Sequence, residues 1–229
     1  MKMLIVALGA CALALAGVAD ESAKDGGLVK VSGKGRLAVI DCASGIDWDK
    51  VKPAFDVFDA NFHIEVVRQK GAAFSVEEAD EALRKSGANA ALFVGDKVGY
   101  PLSLMASESK WAFINLAPLK ADKTNFDKRA QALMMRGLCR ALGSDAARAK
   151  TIALAPIHSI DELDKITSLG VGMESFISIS ESSETLGIEP VEYLTFREAC
   201  EMENPPTPTN DLQRAIAAEV KAALQKQKK

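Results

Sequence analysis

Histidine is almost missing from this sequence: His63 and His158 are the only two in 229 residues. That scarcity excludes a histidine-rich metal cluster and leaves little room for histidine-dependent acid–base or nucleophilic chemistry. A positive footprint is missing too. Lys and Arg number 28 against 31 Asp and Glu, and no basic stripe stands out before the last few residues. Nucleic acid is therefore not an expected partner. There is no G-x-S-x-G nucleophile elbow. The glycine-rich pieces Asp25-Gly-Gly27 and Ser32-Gly-Lys-Gly35 precede the first strand, where a phosphate loop would follow one. No internal repeat or long low-complexity tract is present. What remains is an ordinary globular composition, 48% hydrophobic and 26% charged, too apolar for a disordered chain.

The first 19 residues stand apart. Lys2 gives a short positive start, residues 3–19 carry no charge, and Gly17-Val18-Ala19 offers small residues before Asp20. This pattern predicts a secretory signal peptide over residues 1–19 and a periplasmic or secreted protein. An uncleaved anchor and a lipoprotein box ending at Cys11 are the lesser readings, because the run is short for a span and continues past Cys11. Removal of the leader takes away Lys2 and no acid, so the formal charge moves from −3 to −4. No membrane association is expected after that cut. Cys42, Cys139 and Cys200 remain. An oxidising compartment allows one disulfide among them, and three buried apolar cysteines is the alternative.

Residues 20–35 are rich in Gly, Lys and Ser and read as a flexible N-terminus. Apolar runs at residues 36–41, 63–67, 89–94 and 110–116 predict strands, and the stretch from Trp48 to Phe62 has helical spacing. Ser75-Val-Glu-Glu78 and Ser159-Ile-Asp-Glu162 read as capping boxes. Residues 151–155 are strand-like, residues 170–186 fit either type, and residues 190–194 predict a strand. Pro205-Pro-Thr-Pro208 is a stiff linker. It precedes a last helix with Leu212, Ile216, Val220 and Leu224 on one side. Strands alternating with helices predict a layered α/β (α+β) domain.

The longest helix is the informative one. Thr124 or Asn125 can cap it and Gly143 can stop it. Ala130, Leu133, Met134, Gly137, Leu138 and Ala141 form one apolar stripe, while Met135, Cys139 and Leu142 form another roughly opposite. A helix apolar on two sides is buried between layers, so this is the central helix of the domain.

The order of elements up to this helix resembles that of metzincin-like zinc peptidases. Arg129-Ala-Gln-Ala-Leu-Met-Met-Arg-Gly-Leu-Cys-Arg-Ala-Leu-Gly143 is similar to the active-site helix of the archaemetzincin-like branch. The resemblance implies a zincin-like domain over residues 36–204, a mixed sheet with a buried central helix, and residues 205–229 as linker and C-terminal helix. The family helix carries H-E-x-x-H and then a glycine. The resemblance places Met135 and Cys139 at the two His positions and Arg136 at the Glu position, with Gly143 one residue late. Zinc needs two imidazoles one turn apart and a Glu to activate water. Met135 and Arg136 supply neither, residues 144–150 contain no His, and no Cys lies between Cys139 and Cys200. The expectation is a degenerate zinc site, with no metal and no cofactor.

Other constellations are weaker. Met135 and Cys139, at i and i+4, are candidate soft ligands for Cu(I), with core filling as the alternative. Asp41 and Asp96 end two predicted strands and are the candidate carboxylates of an acid peptidase, with Asp47 and Asp49 near in sequence. Turn formation is the ordinary role for such residues. Nothing in the spacing pairs His158 with Cys42 or Cys139. The functional expectation is a secreted binding or structural module that takes an extended peptide or protein between the central helix and an edge strand at residues 110–116. A carboxylate peptidase is the alternative.

Overall fold

The computed structural model describes residues 25–31, 33–42, 44–105, 110–144, 152–202 and 204–227. The leader, Cys11, Ser109 and the segment 145–151 lie outside them. Along the chain the strands are β1 (Leu28–Val31), β2 (Leu37–Cys42), β3 (Val66–Lys70), β4 (Ala90–Gly95), β5 (Ser103–Met105), β6 (Trp111–Asn115) and β7 (Glu192–Thr195). The helices are α1 (Trp48–Phe62), α2 (Ala79–Ser86), α3 (Phe126–Ala141), α4 (Ile160–Asp164), α5 (Met173–Thr185), α6 (Phe196–Ala199) and α7 (Asp211–Gln227). A short 3-10 turn, Ala117–Ala121, leads into α3.

The larger compact unit is Gly33–Val191. Its five-stranded sheet has the order β3-β2-β4-β6-β5. The first four strands in that order run parallel, and β5 is antiparallel to β6. The inner strands are buried along their whole length, as continuous apolar runs with both faces covered must be. Alternation sorts their side chains. Leu37, Val39, Leu92, Val94 and Ile114 face the core that includes α1 and α3. Ala38, Ile40, Phe93, Trp111 and Phe113 face a second core under α2. The edge of the sheet is therefore not residues 110–116, as the sequence led us to expect. That run pairs on both sides, and β5 is the edge. The unbroken apolarity of Trp111–Asn115 is what an inner strand requires.

α3 is buried as its two stripes demanded: every residue from Ala132 to Cys139 is shielded from solvent. Gly137 is its closest approach to the sheet. A methyl group there would lie 2.6 Å from Leu92 Cδ1 and 2.8 Å from Ile114 Cγ2. Asn125 is the N-cap, but Asp122 does the bonding, accepting from Thr124 N–H at 3.0 Å. Gly143 leaves the helix in the left-handed region at φ 85.

Three local expectations need correction. Ser75 does not cap a helix: its hydroxyl donates to Glu77, and α2 opens later, after Glu78. The strand expected over 151–155 is not found in its described residues, 152–155. Ala153–Ala155 is a turn, and Ile152 makes a lone bridge to Ser168. The ambiguous 170–186 segment is helical. Its serines accommodate this by donating to carbonyls one turn back, Ser180 to Phe176 and Ser183 to Ile179.

Arg129 ties α3 to its surroundings. Its guanidinium makes a two-pronged pair with Asp164 at 2.7 Å and a contact with Asp122 at 3.0 Å. The Arg129 hydrogen bond holds the Asp164 carboxyl below the ordinary carboxylate range; burial opposes it, and the Arg129 charge adds a smaller lowering. A carboxylate whose folded pKa is depressed stabilises the fold above the unfolded value and loses that contribution as pH falls through the folded one. Asp164→Asn is expected to cost about 1 kcal/mol at pH 6, kept small because the side chain is 40% exposed. Thermal melts at pH 6 and pH 3 check this. The gap to wild type should narrow at pH 3, and a constant gap would refute the ion-pair account.

The smaller unit comprises the described residues before Gly33 together with those from Glu192 onward. Here β1 and β7 pair antiparallel. The N-terminal stretch read as flexible thus includes a strand, held by a partner more than 150 residues away in the chain. α6 opens with a full capping box, Thr195 with Glu198. Arg197 pairs with Asp25 and, bidentately, with Glu219. On α7, Ile216, Val220 and Leu224 pack inward as expected, and Leu212 in the first turn does not. Leu212 is 48% exposed while Gln213 is buried, its amide donating to Gly26 O at 2.8 Å. Among the described residues no helix is long and apolar enough to cross a membrane.

Candidate functional site

The site that the central helix builds is centred on Arg136. Burial carries Met135, Arg136 and Cys139 out of water together: they are 0%, 2% and 0% exposed. Arg136 reaches two other elements. Its Nε donates to Ser103 Oγ on the edge strand β5 at 3.4 Å. Its Nη1 donates to Ala153 O at 3.5 Å and to Ala155 O. The turn at Ala153–Ala155 is closed by its own backbone bond, Ala155 N–H to Ile152 O at 2.9 Å, and presents the Ala153 and Ala155 carbonyls to the guanidinium. Burial, with a smaller contribution from the like charge of Arg140 one turn on, pushes the Arg136 guanidinium down to about 10. At neutral pH it is still a cation.

Met135 and Cys139 flank this charge. Burial raises the Cys139 thiol far above its usual range, and the Arg136 charge offsets only part of that. A protonated thiol is neither a nucleophile nor a good metal ligand. A thioether, a guanidinium and a sealed thiol do not make a donor set for zinc, nor does the pair of sulfurs beside a fixed cation suit Cu(I). Among the described residues no three His, Cys, Asp or Glu side chains converge to hold a metal ion.

The other sequence candidates are dispersed. Asp41 accepts from Ser44 N–H at 2.9 Å and from Ser44 Oγ at 2.7 Å, the work of a turn former. Asp96 pairs with Lys120. The proton-sharing contact of a carboxylate dyad is not among these bonds. Cys42 is buried, its thiol pushed up to about 11 by burial and then by the Asp41 charge. Both histidines are exposed, whereas Cys42 and Cys139 are buried. All three described cysteines are free thiols, which is the apolar-core alternative and not the disulfide.

Sequence reasoning missed Ser103, Ala153 and Ala155. Two of these act through backbone oxygens, which no side-chain pattern can advertise. The one available signal was Arg136 itself, a charge set between two apolar stripes.

The chain is similar to three solved structures. The archaemetzincin from Methanopyrus kandleri matches 66% of this chain and 96% of its own, with a TM-score of 0.51 at 13% identity. A zinc-dependent peptidase from Methanocorpusculum labreanum matches 62% of this chain and 99% of its own, at 0.47 and 10% identity. The archaemetzincin from Archaeoglobus fulgidus, complexed with malonate, covers the same shares at 0.45 and 12% identity. No protein-family model matches the chain, and no curated protein matches it by sequence. The fold is archaemetzincin-like, a zincin-like mixed sheet over a buried helix.

Proposed function

We propose that this protein is an exported, non-hydrolytic module that recognises an extended peptide or protein segment as an added strand on the outer edge of β5. The observation that carries the reading is Arg136. Where the resemblance requires a general base, the chain has a buried cation bonded to carbonyl oxygens, and a guanidinium cannot take a proton from water. Recognition by strand addition needs no catalytic group, because main-chain hydrogen bonds supply the affinity.

The geometry of β5 supports this. Asn115 N–H donates to Leu102 O, which pairs Leu102 inward with β6. Alternation then turns Leu104 inward as well and leaves the N–H and C=O of Ser103 and Met105 pointing outward. Among the described residues, β5 is paired on one side only. The leader pattern supports a periplasmic or extracellular setting for the module.

Met105→Pro tests the reading. Proline removes one outward N–H and leaves the bonds to β6 in place. Peptides selected from a random phage-displayed library on the purified mature chain should lose binding to Met105→Pro by at least about tenfold, with the fold intact by circular dichroism. Peptides that bind both proteins alike would place recognition elsewhere. Cleavage of those peptides at acid pH, insensitive to chelator and lost in Asp41→Asn, would replace this reading with the carboxylate peptidase.

A further inference from the structure

Among the described residues, Arg136 has no charged partner. Among the described residues, Arg129 pairs with Asp122 and Asp164, and Arg197 with Asp25 and Glu219. Arg136 is more deeply buried than either, yet its described partners are a hydroxyl and two carbonyls, all neutral. Neutral acceptors satisfy hydrogen bonds but leave the charge of a desolvated guanidinium uncompensated. Its Nη2 makes no hydrogen bond to a described residue. Arg140, four residues along the same helix, adds a second positive charge close enough to lower the proton affinity of Arg136. Among the described residues the guanidinium of Arg136 is thus a buried cation with neutral partners only, lying against the β5 edge of the sheet.

The register of β5 says which side chains of a partner would meet it. Ser103 points to the α3 side of the sheet, where it touches Arg136, and Leu104 packs on the opposite face. A strand laid beside β5 carries its own side chains alternately to the two faces. Every second one comes down on the α3 side, next to the guanidinium. A carboxylate there would supply the missing charge through a short, charge-assisted bond, and arginine suits such a partner in preference to a neutral amide.

Resting on the strand-addition reading above, we infer that the segment bound along β5 is acidic, with a Glu or Asp side chain on its α3-facing side read by Arg136. The ligand class is an extended anionic peptide, not a neutral or basic one. Arg136 is then a specificity residue, and the outward backbone of Ser103 and Met105 provides the general affinity.

The test uses three fluorescent heptapeptides, Thr-Val-Thr-Xaa-Thr-Val-Thr, with Glu, Gln or Lys at the centre, titrated by fluorescence anisotropy against the mature chain. The Glu peptide is expected to bind about tenfold tighter than the Gln peptide at 50 mM salt, with Lys weakest. The Glu preference should shrink at 500 mM salt, as screening requires. Arg136→Met should bring Glu and Gln together, while Arg136→Lys keeps part of the preference. Met105→Pro should weaken all three. Equal binding of Glu and Gln to the wild type, or a preference that survives Arg136→Met, overturns the charge reading while strand addition stands. If no peptide binds the wild type, strand addition itself fails. The salt series on the wild type needs no variant, so the inference stays testable should Arg136→Met fold poorly.

Discussion

Arg136→Glu is expected to destabilise the protein by about 4 kcal/mol or more at pH 7, although Glu is the residue that the resemblance implies at this position. The substitution exchanges a donor for an acceptor. The carbonyls of Ala153 and Ala155 lose their partner, and a carboxylate is left facing them in a site that is 2% exposed. Burial against carbonyl oxygens raises the pKa of the new carboxyl above its unfolded value of about 4.3. A group with a raised folded pKa is tolerated below the unfolded pKa and becomes a growing penalty as pH rises toward the folded one. The loss relative to wild type should therefore be larger at pH 7 than at pH 4. Urea unfolding at the two pH values measures it. A variant as stable as wild type at pH 7 would mean that Arg136 is not the tie between α3, β5 and the Ala153–Ala155 turn. Rebuilding a complete H-E-x-x-H at residues 135–139 should meet the same obstacle, because the packing around the helix now suits a cation.

The second large effect lies next door. Gly137→Val should cost about 3 kcal/mol and lower Tm by roughly 6–12 °C, whereas Gly137→Ala should stay within about 1 kcal/mol of wild type. A β-carbon at 137 falls 2.6 Å from Leu92 Cδ1 and 2.8 Å from Ile114 Cγ2. For alanine, the tip of Leu92 can give way while the branch methyl of buried Ile114 resists, and the gain in helix propensity of up to about 1 kcal/mol offsets part of that crowding. Valine adds two methyl groups on a stiff β-branch and pushes the whole helix off β4 and β6. Leu92→Ala opens the space those methyls need. The double variant Gly137→Val with Leu92→Ala should then be more stable than the two single losses add up to, by about 1 kcal/mol. Strict additivity would show that the helix does not pack here as closely as the distances say.

These two neighbours divide what could be read in advance from what could not. Gly137 was visible as a glycine inside an apolar helical stripe, which signals a close approach, but the surface approached was not visible. Arg136 was visible as a charge between two buried faces. Its partners are Ser103, 33 positions earlier in the chain, and the carbonyls of Ala153 and Ala155, 17 and 19 positions later. Nothing in the local pattern names them.

The sequence by itself determined the layered α/β class, the buried central helix and the lack of an H-E-x-x-H motif. Each of these rests on periodicity or on residue identity, which are local properties that burial simply enforces. The tertiary structure decided which strand is the edge. Residues 110–116 read as an edge strand and no strand was expected at 103–105; only the strand order puts β5 outside β6. It also decided that Leu28–Val31 is a strand, because two short strands far apart in sequence are stable only once paired. It placed Arg136 against backbone oxygens, since carbonyls are identical in every residue and acquire a role only through position. Strand order and buried charge are set by long-range contacts, and those exist only in the folded chain.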